Sequence, residues 1–163
     1  MGAGPTPGPR AESTAVCSAA SMRPRVLAPC VLGAAILAAS GPWASADHTG
    51  QVTEPWLSWL GLPPVVAAAV HRGLRKLGHA LAYGLFAALV FRALPPSRRP
   101  AWRALVACAT ALALASADEA LQSLHPSRGG HAADVLLDLG GAIVGVSLLL
   151  RIAARRKTRP VER

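Results

Sequence analysis

Aromatic residues make up only 4% of this chain and charged residues only 15%, against 52% hydrophobic. So little charge excludes an ordinary small soluble domain. Cysteine is sparse too: Cys17 falls in the leader, while Cys30 and Cys108 lie inside apolar blocks. No pair is placed for an extracytoplasmic disulfide, and the latter two read as small buried hydrophobes. The net charge of +9 comes without a basic face interleaved with aromatics, which excludes nucleic acid as a partner. Internal repeats are missing, which argues against a self-contained carrier. No G-x-S-x-G nucleophile motif is present.

What the chain does have is four apolar blocks, "VLAPCVLGAAILAAS", "LGHALAYGLFAALVF", "ALVACATALALASA" and "VLLDLGGAIVGVSLLL", separated by charged or Pro-rich punctuation. That pattern predicts an all-α, polytopic membrane protein with four transmembrane helices. Residues 1–22, rich in Gly, Pro, Ala and Ser, read as a disordered leader, with Met22 a second candidate start. Residues 23–152 form the membrane domain and 153–163 a basic tail. The stretch from Met22 to Ala46 has two readings, a cleavable signal peptide ending at Ala44-Ser45-Ala46 or a retained helix from about Arg25 to Trp43. The helix is preferred, because the later blocks already require a membrane. A loop, Asp47 to about Pro64, carries Trp56 and Trp59, which suit the headgroup layer.

The arginines set the sides. Arg23 and Arg25, the link "RALPPSRRPAWR", and the tail from Arg151 all fall on one face of a four-helix topology, so both termini are expected to be cytoplasmic. The tail is expected to meet membrane lipids.

Depth then decides what the acids of "ADEALQSLHPSRGGHAADVLLD" are doing. Counting 1.5 Å per residue from Arg103 places Asp118 roughly 22 Å and Glu119 roughly 24 Å into the membrane. From Arg151, Asp138 lies at roughly 20 Å and Asp134 at roughly 26 Å; from Arg92, His79 lies at roughly 20 Å and Lys76 at roughly 24 Å. Three helices thus deliver ionisable groups to one layer near the outer face. Such groups cost about 2.5–3.5 kcal/mol each in apolar surroundings, so they are expected to face one another or a wet cavity. Arg72, Lys76, His79 and Tyr83 form one helical stripe, and Asp118 and Gln122 are four apart. Asp134, Asp138, Gly141 and Gly145 share a face, the two glycines forming a small-xxx-small pair that admits a close neighbour.

"KLGHALAYGL", "ADEALQ" and "PSRGGHAADVLLDLGGAIVG", in this order and spacing over about Arg75 to Leu150, resemble the VanZ-like family of small bacterial membrane proteins. The resemblance implies a multi-pass protein of the bacterial plasma membrane and cell envelope. Its founding member accompanies glycopeptide resistance and lowers sensitivity to teicoplanin; no reaction is attached to the family. Asp138 stands where the family more often carries Asn. The first block and the tail show no family motif.

Arg75, Lys76, His79, Tyr83, Asp118, Glu119, Gln122, Arg128, Asp134 and Asp138 are therefore the candidate polar cluster. It fits a structural ion-pair network in which Arg75, Lys76 and Arg128 neutralise Asp118, Glu119 and Asp134. It equally fits a site that holds the phosphate of a polyprenyl-linked precursor or a polar group of a glycopeptide. A catalytic version uses His79 or Glu119 as general base on a lipid-linked phosphate or peptidoglycan-precursor substrate. No catalytic residue is assigned and no cofactor is expected. No metal is expected either, because of His79, His125, His131 and Asp134, two lie in a Gly-rich loop without a standard ligand spacing.

Overall fold

The computed structural model describes residues 10–41, 46–124 and 132–157, with side chains over 25–41, 48–124 and 132–155. Among these residues the chain is all-α, with five helices: α1 (Arg10–Ala39), α2 (Ala46–Trp59), α3 (Pro64–Ala93), α4 (Pro100–Ser123) and α5 (Ala132–Lys157). α3, α4 and α5 up to Arg155 are each long and apolar enough to cross a membrane; Arg25–Ala39 in α1 is apolar but shorter. Of the four transmembrane helices expected, three are thus long and apolar enough to cross a membrane among the described residues.

Proline fixes the starts of α3 and α4. Pro64 and Pro100 occupy the first turns, where the missing N–H costs nothing and φ is already helical. α3 ends at Leu94, which turns extended ahead of Pro95. Across that turn, the Arg103 guanidinium donates to the Phe91 carbonyl at 2.6 Å and lies 4.2 Å from the Phe91 ring centre. A cation is thereby held against the last turn of α3, where unpaired carbonyls gather.

Two segments differ from expectation. α1 starts at Arg10, inside the stretch read as a disordered leader; Ala11, Ala15, Ala19 and Ala20 supply helix propensity. The loop from Asp47 is helix α2, despite Pro55 within it. Its inward face is polar, Thr49 and Thr53 meeting His71 of α3, so no apolar stripe marks it as a helix. Trp56 and Trp59 stay exposed on α2, edge to face with ring centres 6.2 Å apart.

α3 is the hub, packing against all four other helices and most extensively against α5. The core consists of Tyr83, Phe86, Ala87 and Phe91 of α3, Ala107, Ala111 and Ala115 of α4, and Ala142 and Val146 of α5. Many leucines lie outside: Leu77, Leu81, Leu85, Leu105, Leu136 and Leu148 are all exposed. Alanines packed against a few aromatics within and leucines without is an arrangement expected where lipid, not water, bathes the surface. Cys30 is exposed on this apolar exterior and not a buried hydrophobe, while Cys108 is half-buried.

The α3–α5 seam depends on glycine. A Cβ on Gly141 would collide with the Ala80 carbonyl oxygen, and one on Gly145 with the Gly84 carbonyl oxygen. A Cβ on Gly84 would in turn lie 2.9 Å from the Gly141 oxygen. The backbones therefore touch at the level just below Asp138.

Candidate functional site

Tyr83 and Asp118 are the largest fully buried side chains among the described residues. Tyr83 sits one turn beyond His79 on the polar stripe of α3, and its hydroxyl donates to Asp118 Oδ2 at 3.0 Å. The other carboxylate oxygen, Oδ1, accepts from Ser40 at the end of α1. Ser40 also reaches back to the Ile36 carbonyl at 3.1 Å. The site is thus built by four helices, with α1 joining the three that the sequence had nominated. Ser40 was missed; the signal was a lone hydroxyl closing an otherwise apolar, Ala-rich run.

Asp138, one turn after Asp134 on α5, is 3% exposed. Its Oδ2 lies 3.8 Å from His79 Nδ1, an ion pair when the imidazole is protonated. Its Oδ1 is buried with no hydrogen-bond partner. His79, Asp118 and Asp138 each offer one ligand-type atom, and these atoms lie within 4.8 Å of one another. Of the metal-ligating residues read from the sequence, His79 takes part in this group, which helix register brings together from α3, α4 and α5.

Nearer the α3 N-terminus the pairs are more exposed. Lys76 Nζ lies 3.4 Å from Asp134 Oδ1, with side chains 62% and 38% exposed. An exposed pair contributes little, so Lys76→Gln is expected to lower stability in detergent by less than about 1 kcal/mol. A thermal-unfolding midpoint, compared at low and high salt, checks this. Arg75 donates to Thr49 of α2 at 2.9 Å. His71, which the sequence reading passed over, is buried and bonded through both ring nitrogens to Thr49 and Thr53, tying α2 to α3. Glu119 and Gln122 are half-buried on α4, one beside Asp118 and the other one turn on. Arg128, His125 and His131 lie outside the described residues.

Ile36, Ser40, Arg75, His79, Tyr83, Asp118 and Gln122 contribute to the wall of a cavity of about 260 Å³. The lining is largely apolar, with a carboxylate, a guanidinium, an imidazole and an amide among it. Such a set can accept a polar headgroup oxygen or hold a cation, and it offers no nucleophile of standard type.

The family model described as VanZ/LLP1 matches residues 27–153. The chain belongs to this VanZ-like family. The match begins within α1, ahead of the motif-bearing part recognised in the sequence, and so includes the helix that supplies Ser40 to Asp118. No curated protein and no solved structure matches the chain. As a VanZ-like protein with three helices apolar and long enough to span a bilayer, it is a membrane protein.

Proposed function

We propose that this VanZ-like protein acts in the bacterial plasma membrane, with both termini cytoplasmic. In this reading its polar layer lies near the outer face and contributes to glycopeptide tolerance by engaging a polar group of teicoplanin or of a polyprenyl-linked envelope precursor. The observation that carries the proposal is the cavity in which Arg75, His79 and Gln122 surround a carboxylate that neighbouring helices have already engaged. An anionic or hydroxyl-rich headgroup would meet the guanidinium and imidazole donors there. Retention of α1 is supported by its packing on α3 and α4 and by the Ser40–Asp118 hydrogen bond.

One observation favours a second reading, a purely structural network. Asp118 is enclosed by hydroxyls from α1 and α3, an arrangement that fixes helix register whether or not a ligand binds.

The test pairs Glu119→Gln and His79→Ala. Folded yield in detergent is measured beside teicoplanin susceptibility of cells carrying each variant. Normal yield with lost tolerance is the expected result; loss of folding in both would favour the structural network. Reporter fusions check the topology: a periplasm-active reporter is expected to work after Ser127 and fail after Arg98.

A further inference from the structure

We propose that His79, Asp118 and Asp138 bind one divalent metal ion of the zinc class. One imidazole and two carboxylates, delivered by α3, α4 and α5, bring their ligand-type atoms within 4.8 Å of one another. Donors about 2.0–2.2 Å from a common tetrahedral zinc ion sit about 3.3–3.6 Å apart, so the three side chains must draw together by up to about 1.5 Å to close the set.

Convergence of donors alone would not call for an ion. The second observation is Asp138 Oδ1, an oxygen of a residue 3% exposed that has no hydrogen-bond partner. A buried anionic oxygen without a donor is costly, and a second buried carboxylate a few ångströms away adds like-charge repulsion. A divalent cation between Asp118 and Asp138 offsets both costs. The surroundings are those of a ligand set: Ser40 and Tyr83 hold Asp118 in place by hydrogen bonds, as carboxylates that ligate metals are commonly held. The nearby cations are engaged at the rim, Arg75 by Thr49 and Lys76 by Asp134.

The mixture of one nitrogen and two oxygens selects the metal class. Imidazole suits zinc and its neighbours, whereas magnesium and calcium prefer oxygen alone. Three protein ligands leave a fourth position, and His79 and Asp118 also line the 260 Å³ cavity. An exchangeable water or an anionic headgroup oxygen fits that position. The inference rests on the reading of this layer as a site and names what the site holds.

Purified protein in detergent, stripped with EDTA, is titrated with Zn²⁺, with Co²⁺ as the coloured probe and Mg²⁺ as the oxygen-preferring control. The expected result is one equivalent of Zn²⁺ retained through desalting, a visible Co²⁺ spectrum that Zn²⁺ displaces, and no retention of Mg²⁺. Asp138→Asn keeps the shape of the side chain, and it should weaken Zn²⁺ binding at least about tenfold. His79→Gln should do the same, while Arg98→Gln, in the exposed link between α3 and α4, should bind as the parent does. Circular dichroism and size-exclusion profiles confirm that each variant is folded. No retained metal in the parent protein overturns the inference, as does equal retention in Asp138→Asn. A protonated-carboxyl infrared band that persists at saturating Zn²⁺ and vanishes in Asp138→Asn also overturns it, by assigning a shared proton to the pair. Metal retention is read without any susceptibility measurement, so its failure leaves the tolerance role standing. Unchanged susceptibility in variants that have lost the metal sinks the tolerance role alone.

Discussion

Alanine at Gly141 is expected to disrupt assembly of the bundle, whereas alanine at Gly140 is expected to be tolerated or to stabilise it. Exchanging glycine for alanine within a helix normally gains up to about 1 kcal/mol, because the flexible unfolded backbone loses less freedom on folding. At Gly140 nothing lies within 4 Å of the added carbon, so that gain is available. At Gly141 the same carbon meets the Ala80 carbonyl oxygen of α3, and the Ala80 carbonyl carbon lies only 2.8 Å away. Backbone cannot rotate aside as a side-chain tip can, so α3 and α5 must separate along the seam. Overpacking of this kind costs at least about 1–3 kcal/mol, and it also removes close contacts on which helix association in lipid depends. The decisive measurement is a pair of size-exclusion and thermal-unfolding profiles in detergent, with far-ultraviolet circular dichroism alongside. Helicity should survive in both variants while monodispersity fails only at position 141. Equal behaviour of the two would sink the account of the seam.

Tyr83→Phe removes one oxygen atom and is expected to cost about 2 kcal/mol. The lost hydroxyl is a donor to Asp118, and hydrogen bonds to charged groups are worth about 1.5–3 kcal/mol where water cannot substitute. Both side chains are fully buried, so little water reaches the bond itself even though the two residues border the cavity. Ser40 still serves Oδ1, but Oδ2 loses the 3.0 Å bond. The contribution is isolated by a double-mutant cycle with Asp118→Asn, in which Tyr83→Phe should cost at least about 1 kcal/mol less because a neutral amide oxygen demands less of its donor. Additive losses in thermal unfolding would mean that the pair is not coupled and that Tyr83 contributes only its ring.

Much of this architecture is written openly in the residues. Apolar blocks between arginines and prolines give α3, α4 and α5, and counting rises from Arg92, Arg103 and Arg151 puts His79, Asp118 and Asp138 at one level. The packing role of Gly141 and Gly145 follows from their four-residue spacing next to Asp138. α2 stayed hidden for a physical reason: it docks through Thr49 and Thr53 on His71 and Arg75, so its buried face is polar and periodicity of apolar residues says nothing about it. Ser40 escaped because a single serine in an alanine-rich run is unremarkable until the fold brings Asp118 against it. Pairing specificity was equally invisible, since helical counting gives height along the bundle but not azimuth. That is why the sequence placed Asp118 and Asp134 on equal terms, whereas the fold buries the first and leaves the second partly exposed beside Lys76.

α3 spans 30 residues, about 45 Å of helix against a hydrocarbon layer near 30 Å. The surplus of about 15 Å leaves the helix with a choice between tilting and protruding. α2 restricts that choice by clasping the first turns of α3 around His71. A protruding α3 would carry α2 with it, and the depth of the Lys76–Asp134 pair relative to the lipid tails would follow bilayer thickness. A thicker membrane would draw that pair toward the acyl chains and a thinner one would lift it into the headgroups.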